Sequence, residues 1–203
     1  MKTEFLKIKN GFTIIETMIA VSIFIIVIMI GMNTLLNANL LHQKSQNMRS
    51  ILDSMNFAME DMSRNLRVGY TYDCIPTNGT IPDTTPPYTP IPTSGQNCGG
   101  IIFKSTANNT LATWVYYIAT NPNYPSQYSI FKIVDGSTSV QLTPDEVNID
   151  PSSSFTVVGA EPPSSGNYQQ PFVTIKLVGT IKYQNITTPF SLQTSVSQRT
   201  IDI

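Results

Sequence analysis

From Phe12 to Met32 the chain runs for twenty-one residues with one ionisable side chain, Glu16. As a helix rising 1.5 Å per residue this segment spans about 31 Å, against a bilayer hydrocarbon core of about 30 Å. A charge at the bilayer centre costs about 2.5–3.5 kcal/mol. Any account of the chain has to explain why an apolar run of membrane length carries an acid close to its start.

The flanks narrow the options. Residues 1–11 read MKTEFLKIKNG, with Lys2, Lys7 and Lys9 against Glu4. The positive-inside rule places this flank in the cytoplasm and exports the remainder. A cleaved secretory signal has an apolar core of about 7–15 residues and a small-residue site after it. Here the run is longer, and NTLLNANLLHQKSQ offers no A-x-A site. A plain signal anchor fits the length and leaves Glu16 unexplained.

Residues Gly11-Phe12-Thr13-Ile14-Ile15-Glu16 resemble the cleavage and methylation motif of type IV pilins and type II secretion pseudopilins. The resemblance implies cleavage of a 1–11 leader after Gly11 by a prepilin peptidase. It also implies N-methylation of the new N-terminal Phe12 and retention of Glu16 for assembly. The implied partners are that peptidase, other pilin or pseudopilin subunits and an inner-membrane assembly platform. The implied location is the bacterial inner membrane, single-pass with a cytoplasmic N-terminus and an exported head, and then a filament.

The helical pattern continues beyond the apolar run. Met48, Ile51, Leu52, Met55, Ala58, Met59, Met62 and Leu66 recur at three- and four-residue spacing and share about 120° of arc. Arg49–Asp53 and Glu60–Arg64 are i,i+4 pairs of opposite charge, worth a few tenths of a kcal/mol each. No proline occurs from Phe12 to Val68, Gly31 is the one interior breaker, and Gly69 suits a helix C-cap. The expectation is one helix over 12–69: transmembrane over 12–32 and amphipathic over 33–69. The polar stretch Asn37–Asn47 breaks any sustained heptad, so the stripe is assigned to covering a sheet rather than to a free coiled coil.

All fourteen prolines follow Gly69. This marks residues 70–203 as a separate head of strands and turns. Six prolines fall between Pro76 and Pro92, in a Pro-rich loop over 75–97 that Cys74 and Cys98 bracket. In an exported head these two cysteines suit one disulfide, worth about 3–4 kcal/mol of loop entropy. From Gly100 onward strands dominate. GIIFKS and TLATWVYYIAT form a hairpin across TANN, and QYSIFKIV and SVQLT form a second across DGST. A long final pair is expected to turn at TTP, residues 187–189. Alternation in Val173–Leu177 and Phe190–Val196 indicates an antiparallel sheet with one covered and one wetter face. The fold class is α+β, with the second half of the helix packed on that sheet. LTPDEVNID, SFTVVGA, QPFVTIKLVGT and FSLQTSVSQR bear a looser resemblance to the C-terminal half of minor pilins and the J-type pseudopilin.

No catalytic constellation is legible. The single histidine, His42, has no cleft-forming neighbours, and Cys/His metal spacings are absent. The major pseudopilin of the resembling family binds calcium. Asp135, Asp145, Glu146 and Asp150 lack the spacing of a calcium loop, and read as turn acids. Trp114 lies in a strongly β segment and reads as core. Charged residues are 12% and the net charge is −1, which argues against a nucleic-acid surface. No enzyme activity, cofactor or metal is expected. The expected role is a structural subunit, a minor pilin or pseudopilin that primes a filament or sits at its tip. A bulky head is easier to accommodate there than along a shaft. The rival roles are a tip adhesin or DNA-capture module carried by the Cys74–Cys98 loop, and an anchored exported enzyme.

Overall fold

The structure, a computed structural model, describes residues 11–76, 95–107, 110–161, 166, 169–183 and 186–199. The expected leader, up to residue 10, and most of the Pro-rich loop lie outside the described residues. The chain divides into two compact units, Met1–Gln46 and Asn47–Ile203. Helix α1 covers Ile14–Val68 without interruption. Ten strands follow: β1 (Tyr70–Ile75), β2 (Asn97–Cys98), β3 (Gly100–Ala107), β4 (Thr110–Thr120), β5 (Tyr128–Val134), β6 (Val140–Gln141), β7 (Val147–Ile149), β8 (Ser154–Val158), β9 (Phe172–Tyr183) and β10 (Ile186–Ser197). One long apolar helix with antiparallel sheets makes the class α+β.

In the first unit α1 is long and apolar enough to cross a membrane. Its side chains are exposed from the N-terminal end through Gln43. In the second unit the exposure changes to a stripe. Ile51, Met55, Ala58, Met59, Met62 and Leu66 are buried, at the three- and four-residue spacing that puts them on one face. The expected ion pairs Arg49–Asp53 and Glu60–Arg64 do not close to within 4 Å among the described residues. Exposed pairs of this kind gain too little to hold two long side chains in one geometry.

The head holds two five-stranded sheets where the sequence suggested one. The first has order β1-β3-β4-β5-β6, and the second β10-β9-β8-β2 with β7 also paired to β9. Both contribute to the core under the helix stripe: Ile101, Phe103, Tyr116 and Ile130 from the first, and Ile149, Phe155, Ile175, Leu177 and Ile181 from the second. Alternation along a strand reveals which face is covered. It does not reveal how many sheets share the cover. Ile101 and Ile102 are consecutive and both fully buried, so β3 is covered on both faces. Its second face joins a separate cluster of Ile75, Ile102, Val115, Tyr117 and Phe131. Cys74 on β1 and Cys98 on β2 form a disulfide, which fastens the edge of one sheet to the edge of the other.

Gly69 and Gly179 are among the glycines set by close approach. A Cβ on Gly69 would enter the Phe103 ring, so this residue lets the chain leave the helix against the core rather than forming a left-handed cap. The positive φ in this turn belongs to Thr71, at 50°. The last helical carbonyls find other donors. Tyr72 Oη lies 2.6 Å from Leu66 O and 2.7 Å from Gly69 O, its one proton shared between the two acceptors, and Arg199 N–H donates to Arg67 O at 2.7 Å. Gly179 lies mid-strand in β9, where a Cβ would collide with the Asn148 carbonyl oxygen and touch the Phe190 ring at 3.0 Å.

The final hairpin turns earlier than the sequence suggested. Tyr183 pairs with Ile186, and Thr187-Thr188-Pro189 continue inside β10. Proline is tolerated there because β10 is an edge strand and its missing N–H falls on the open side. Gly179→Ala is expected to cost about 1–3 kcal/mol through overpacking against β7. A urea titration would show this as a lowered midpoint, whereas Gly31→Ala, with nothing within 4 Å of the added Cβ, lowers nothing.

Candidate functional site

The residues singled out by sequence sit at the start of α1. Gly11, Phe12 and Thr13 precede the helix, so the Gly11–Phe12 peptide bond lies in exposed, non-helical backbone. Phe12 is 82% exposed. Thr13 occupies the N-cap: its Oγ1 accepts from Glu16 N–H at 3.4 Å, and its carbonyl accepts from Thr17 N–H at 3.2 Å. Thr13-Ile14-Ile15-Glu16 therefore has the T-x-x-E form of a capping box, a signal legible in the sequence alone. Among the described residues only half of the box forms. The carboxylate of Glu16 does not reach back to Thr13 N–H and has no hydrogen bond or ion pair among the described residues. It stands on the first turn of the helix, where the helix dipole favours a negative charge.

Two further hydroxyls turn inward on the same segment. Thr17 Oγ1 donates to Ile14 O at 2.8 Å, and Ser22 Oγ to Ile19 O at 2.9 Å. Both satisfy themselves within the helix, which lets them sit in apolar surroundings without outside partners. Glu16 is thus the polar group in this stretch whose side chain needs something beyond the helix. His42 lies further along, with Nε2 at 3.0 Å from Gln46 Nε2 on an exposed face.

In the second unit one polar cluster stands out. Asp61 on α1 accepts from Lys132 Nζ at 2.9 Å, Tyr116 Oη at 2.9 Å and Asn65 Nδ2 at 3.1 Å. Asn65 Nδ2 also reaches Tyr116 Oη at 2.8 Å. The Lys132 ammonium lies over the Trp114 ring, 4.6 Å from its centroid. Trp114 is partly buried against the core, and its Nε1 is buried with no hydrogen-bond partner among the described residues. Asp61 and Lys132 each keep about a fifth of their side-chain exposure. The Asp61 carboxylate draws donors from both β4 and β5, so the arrangement fastens the helix to these two strands. Asp61 and Asn65 border the apolar stripe, but their partners lie 51 to 71 residues away and carry no local signature.

The turn acids have local roles. Asp135 Oδ1 accepts from Thr113 N–H at 2.7 Å, and Asp145 Oδ1 from Gln141 Nε2 at 2.9 Å. The Asp150 carboxyl is held below its ordinary value by the hydrogen bond from Ser152 N–H. Among the described residues no group of three or more His, Cys, Asp or Glu side chains is placed to hold a metal ion. A shallow hollow of about 200 Å³ opens beside Asn47, Ser50, Ser54, Glu146 and Tyr183. Asn47 Nδ2 donates to Tyr183 Oη there, which uses its most convergent polar pair.

Comparison with protein-family models, with curated proteins and with solved structures finds no match for this chain.

Burial, opposed by the Asn65 hydrogen bond and aided by the Asp61 charge, raises the Tyr116 phenol far above its ordinary value. The folded state keeps that proton where the unfolded chain, with a tyrosine pKa of about 10, releases it. Tyr116 therefore favours folding fully below about pH 10, and that contribution is lost as pH rises further. Tyr116→Phe is expected to cost about 1–2 kcal/mol at neutral pH through the lost hydrogen bond to Asp61. It is also expected to flatten the fall of stability above about pH 10, as read from urea midpoints across alkaline buffers.

Proposed function

We propose that this chain is a prepilin-type structural subunit, a minor pilin or pseudopilin of a type IV pilus or type II secretion filament. The observation that carries the reading is the state of Glu16. It is an exposed carboxylate without a partner among the described residues, in the otherwise uncharged run Phe12–Met32 and four residues after an exposed Gly11–Phe12 bond. A helix that only anchors a head gains from such a group no more than the favourable dipole interaction at its first turn. A helix that leaves the bilayer to pack beside others of its kind gains a register mark.

The physics of that mark is direct. Cleavage after Gly11 creates an amino group on Phe12. In apolar surroundings a carboxylate and an ammonium attract far more strongly than in water, and either left alone is costly. Pairing Glu16 of one subunit with the Phe12 amino group of a neighbour fixes their axial offset, while the apolar side chains from Phe12 to Met32 bury one another. In this reading a prepilin peptidase, an inner-membrane assembly platform and other subunits are the partners. The basic flank stays cytoplasmic and the head is exported. The disulfide-fastened head then primes assembly or caps the tip.

Mass spectrometry of the mature chain is expected to find an N-methylated Phe12 at its start, and an intact Met1 would overturn the proposal. Glu16→Val should leave insertion and cleavage unchanged and prevent incorporation into filaments recovered from the cell surface or periplasm. Filaments that accept this variant at the wild-type level would remove the role assigned to Glu16.

A further inference from the structure

The two sheets of the head end on four strands, and three of these ends are blunted. Strands β2 and β6 are two residues long. Strand β1 is broken by an irregularity between Tyr70 and Asp73, where Thr71 has φ 50°. Strand β10 is different. It is a regular edge of twelve residues, ITTPFSLQTSVS, with no charged side chain. Natural sheets normally shorten, bend or charge such an edge, because its open backbone pairs with any extended chain that reaches it.

The direction of that open backbone follows from β9. Lys182 N–H donates to Glu146 O, and Val178 O accepts from Asp150 N–H. Even-numbered residues of β9 thus turn their backbone groups toward β7 and β8. Odd-numbered residues, such as Leu177 and Gly179, bond β10 through Leu192 and Phe190. In β10 it is then the odd-numbered residues, Thr187 to Ser197, whose N–H and C=O groups point outward. Two of them bound the usable stretch. Pro189 has no N–H to offer, and Arg199 N–H, next in the same series, is already bonded to Arg67 O. Between these limits Ser191, Gln193, Ser195 and Ser197 have outward backbone groups with no partner among the described residues.

We infer that the β10 edge is an interface for a second copy of this chain, joined antiparallel over Ser191–Ser197 about a two-fold axis at Thr194. A register that places Ser191 opposite Ser197, and Gln193 opposite Ser195, uses every open group between the two limits. It forms about eight inter-chain hydrogen bonds by the antiparallel pattern. Sliding the copies two residues in either direction sets Pro189 or the occupied Arg199 into the ladder. The strand carries no charge, so it meets its own copy without like charges in opposition. The described chain leaves β1 at Pro76 and resumes at Gly95, whose N–H donates to Val157 O of β8. The contact is isologous, closing on two copies. It goes beyond the filament reading and uses only residues of the second unit.

The full-length chain in detergent micelles tests this. Cys74 and Cys98 are already joined, so Thr194→Cys adds one free thiol. Facing residues of a non-hydrogen-bonded antiparallel pair bring their Cβ atoms within disulfide reach. Mild oxidation is expected to double the apparent mass of this variant on a non-reducing gel. Gln193→Pro in the same background removes one outward N–H and no bond to β9, and is expected to abolish the link while keeping the unfolding midpoint. In the unsubstituted chain, amide exchange at Ser191, Gln193 and Ser195 should slow as protein concentration rises, with Leu192 and Thr194 unchanged. Concentration-independent exchange at those three amides overturns the interface, as does a link that survives Gln193→Pro. Glu16→Val should link as well as the parent, so the failure of one proposal is distinguishable from the failure of the other.

Discussion

Helix α1 presents a different surface in each of the two units, and the head is built around the second of them. An α-helix satisfies its own backbone, so its surroundings are set by side chains alone. Through Gln43 the side chains are exposed all round and mostly apolar. From Ile51 to Leu66 they resolve into one buried stripe. The stripe is the helix's contribution to the head core. Met55, Met62 and Leu66 are fully buried and belong to the core cluster to which both sheets contribute.

An apolar stripe alone allows sliding, because one turn of helix resembles the next. Polar contacts remove that freedom. Asp61 and Asn65 grip Lys132 and Tyr116, Asn47 reaches Tyr183, and the last carbonyls are taken by Tyr72 and Arg199. These bonds lie at the beginning, middle and end of the packed part. A partly exposed ion pair is worth little by itself. The Asp61 pair gains from Trp114 below the ammonium and from two more donors on the same carboxylate. The disulfide acts on the other side of the core, joining sheet edges that share no strand.

The sequence showed whatever was local and periodic. The helix, its stripe and the hairpins β3–β4 and β5–β6 all follow from spacing within about twenty residues. Three features were hidden for distinct reasons. The second sheet was invisible because alternation along β9 reports one covered face and says nothing of which strands share the cover. Strands β1 and β2 were masked by the proline-rich composition around Cys74 and Cys98. Pro189 read as a turn because proline usually breaks a ladder, and only the pairing of β10 with β9 shows that its missing donor faces outward. At the helix start the limitation was of another kind. Thr13 and Glu16 could be read as a capping box from the letters alone, but whether the box closes is a question of geometry.

That geometry bears on how a charge can be carried into an apolar environment. A closed capping box would consume Glu16 in local helix initiation, and its presence near a membrane segment would then need no further partner. The box is half closed: Thr13 satisfies the backbone, and the carboxylate is left over. Thr17 and Ser22, by contrast, return their hydroxyls to the helix and become nearly apolar in effect. The same segment thus contains polar groups that have been neutralised and one that has not. In low dielectric an unsatisfied carboxylate is among the most costly groups a helix can carry. Under the filament reading proposed above, the cation that satisfies it is the Phe12 amino group of a neighbouring subunit, and this pairing is what would select the neighbour.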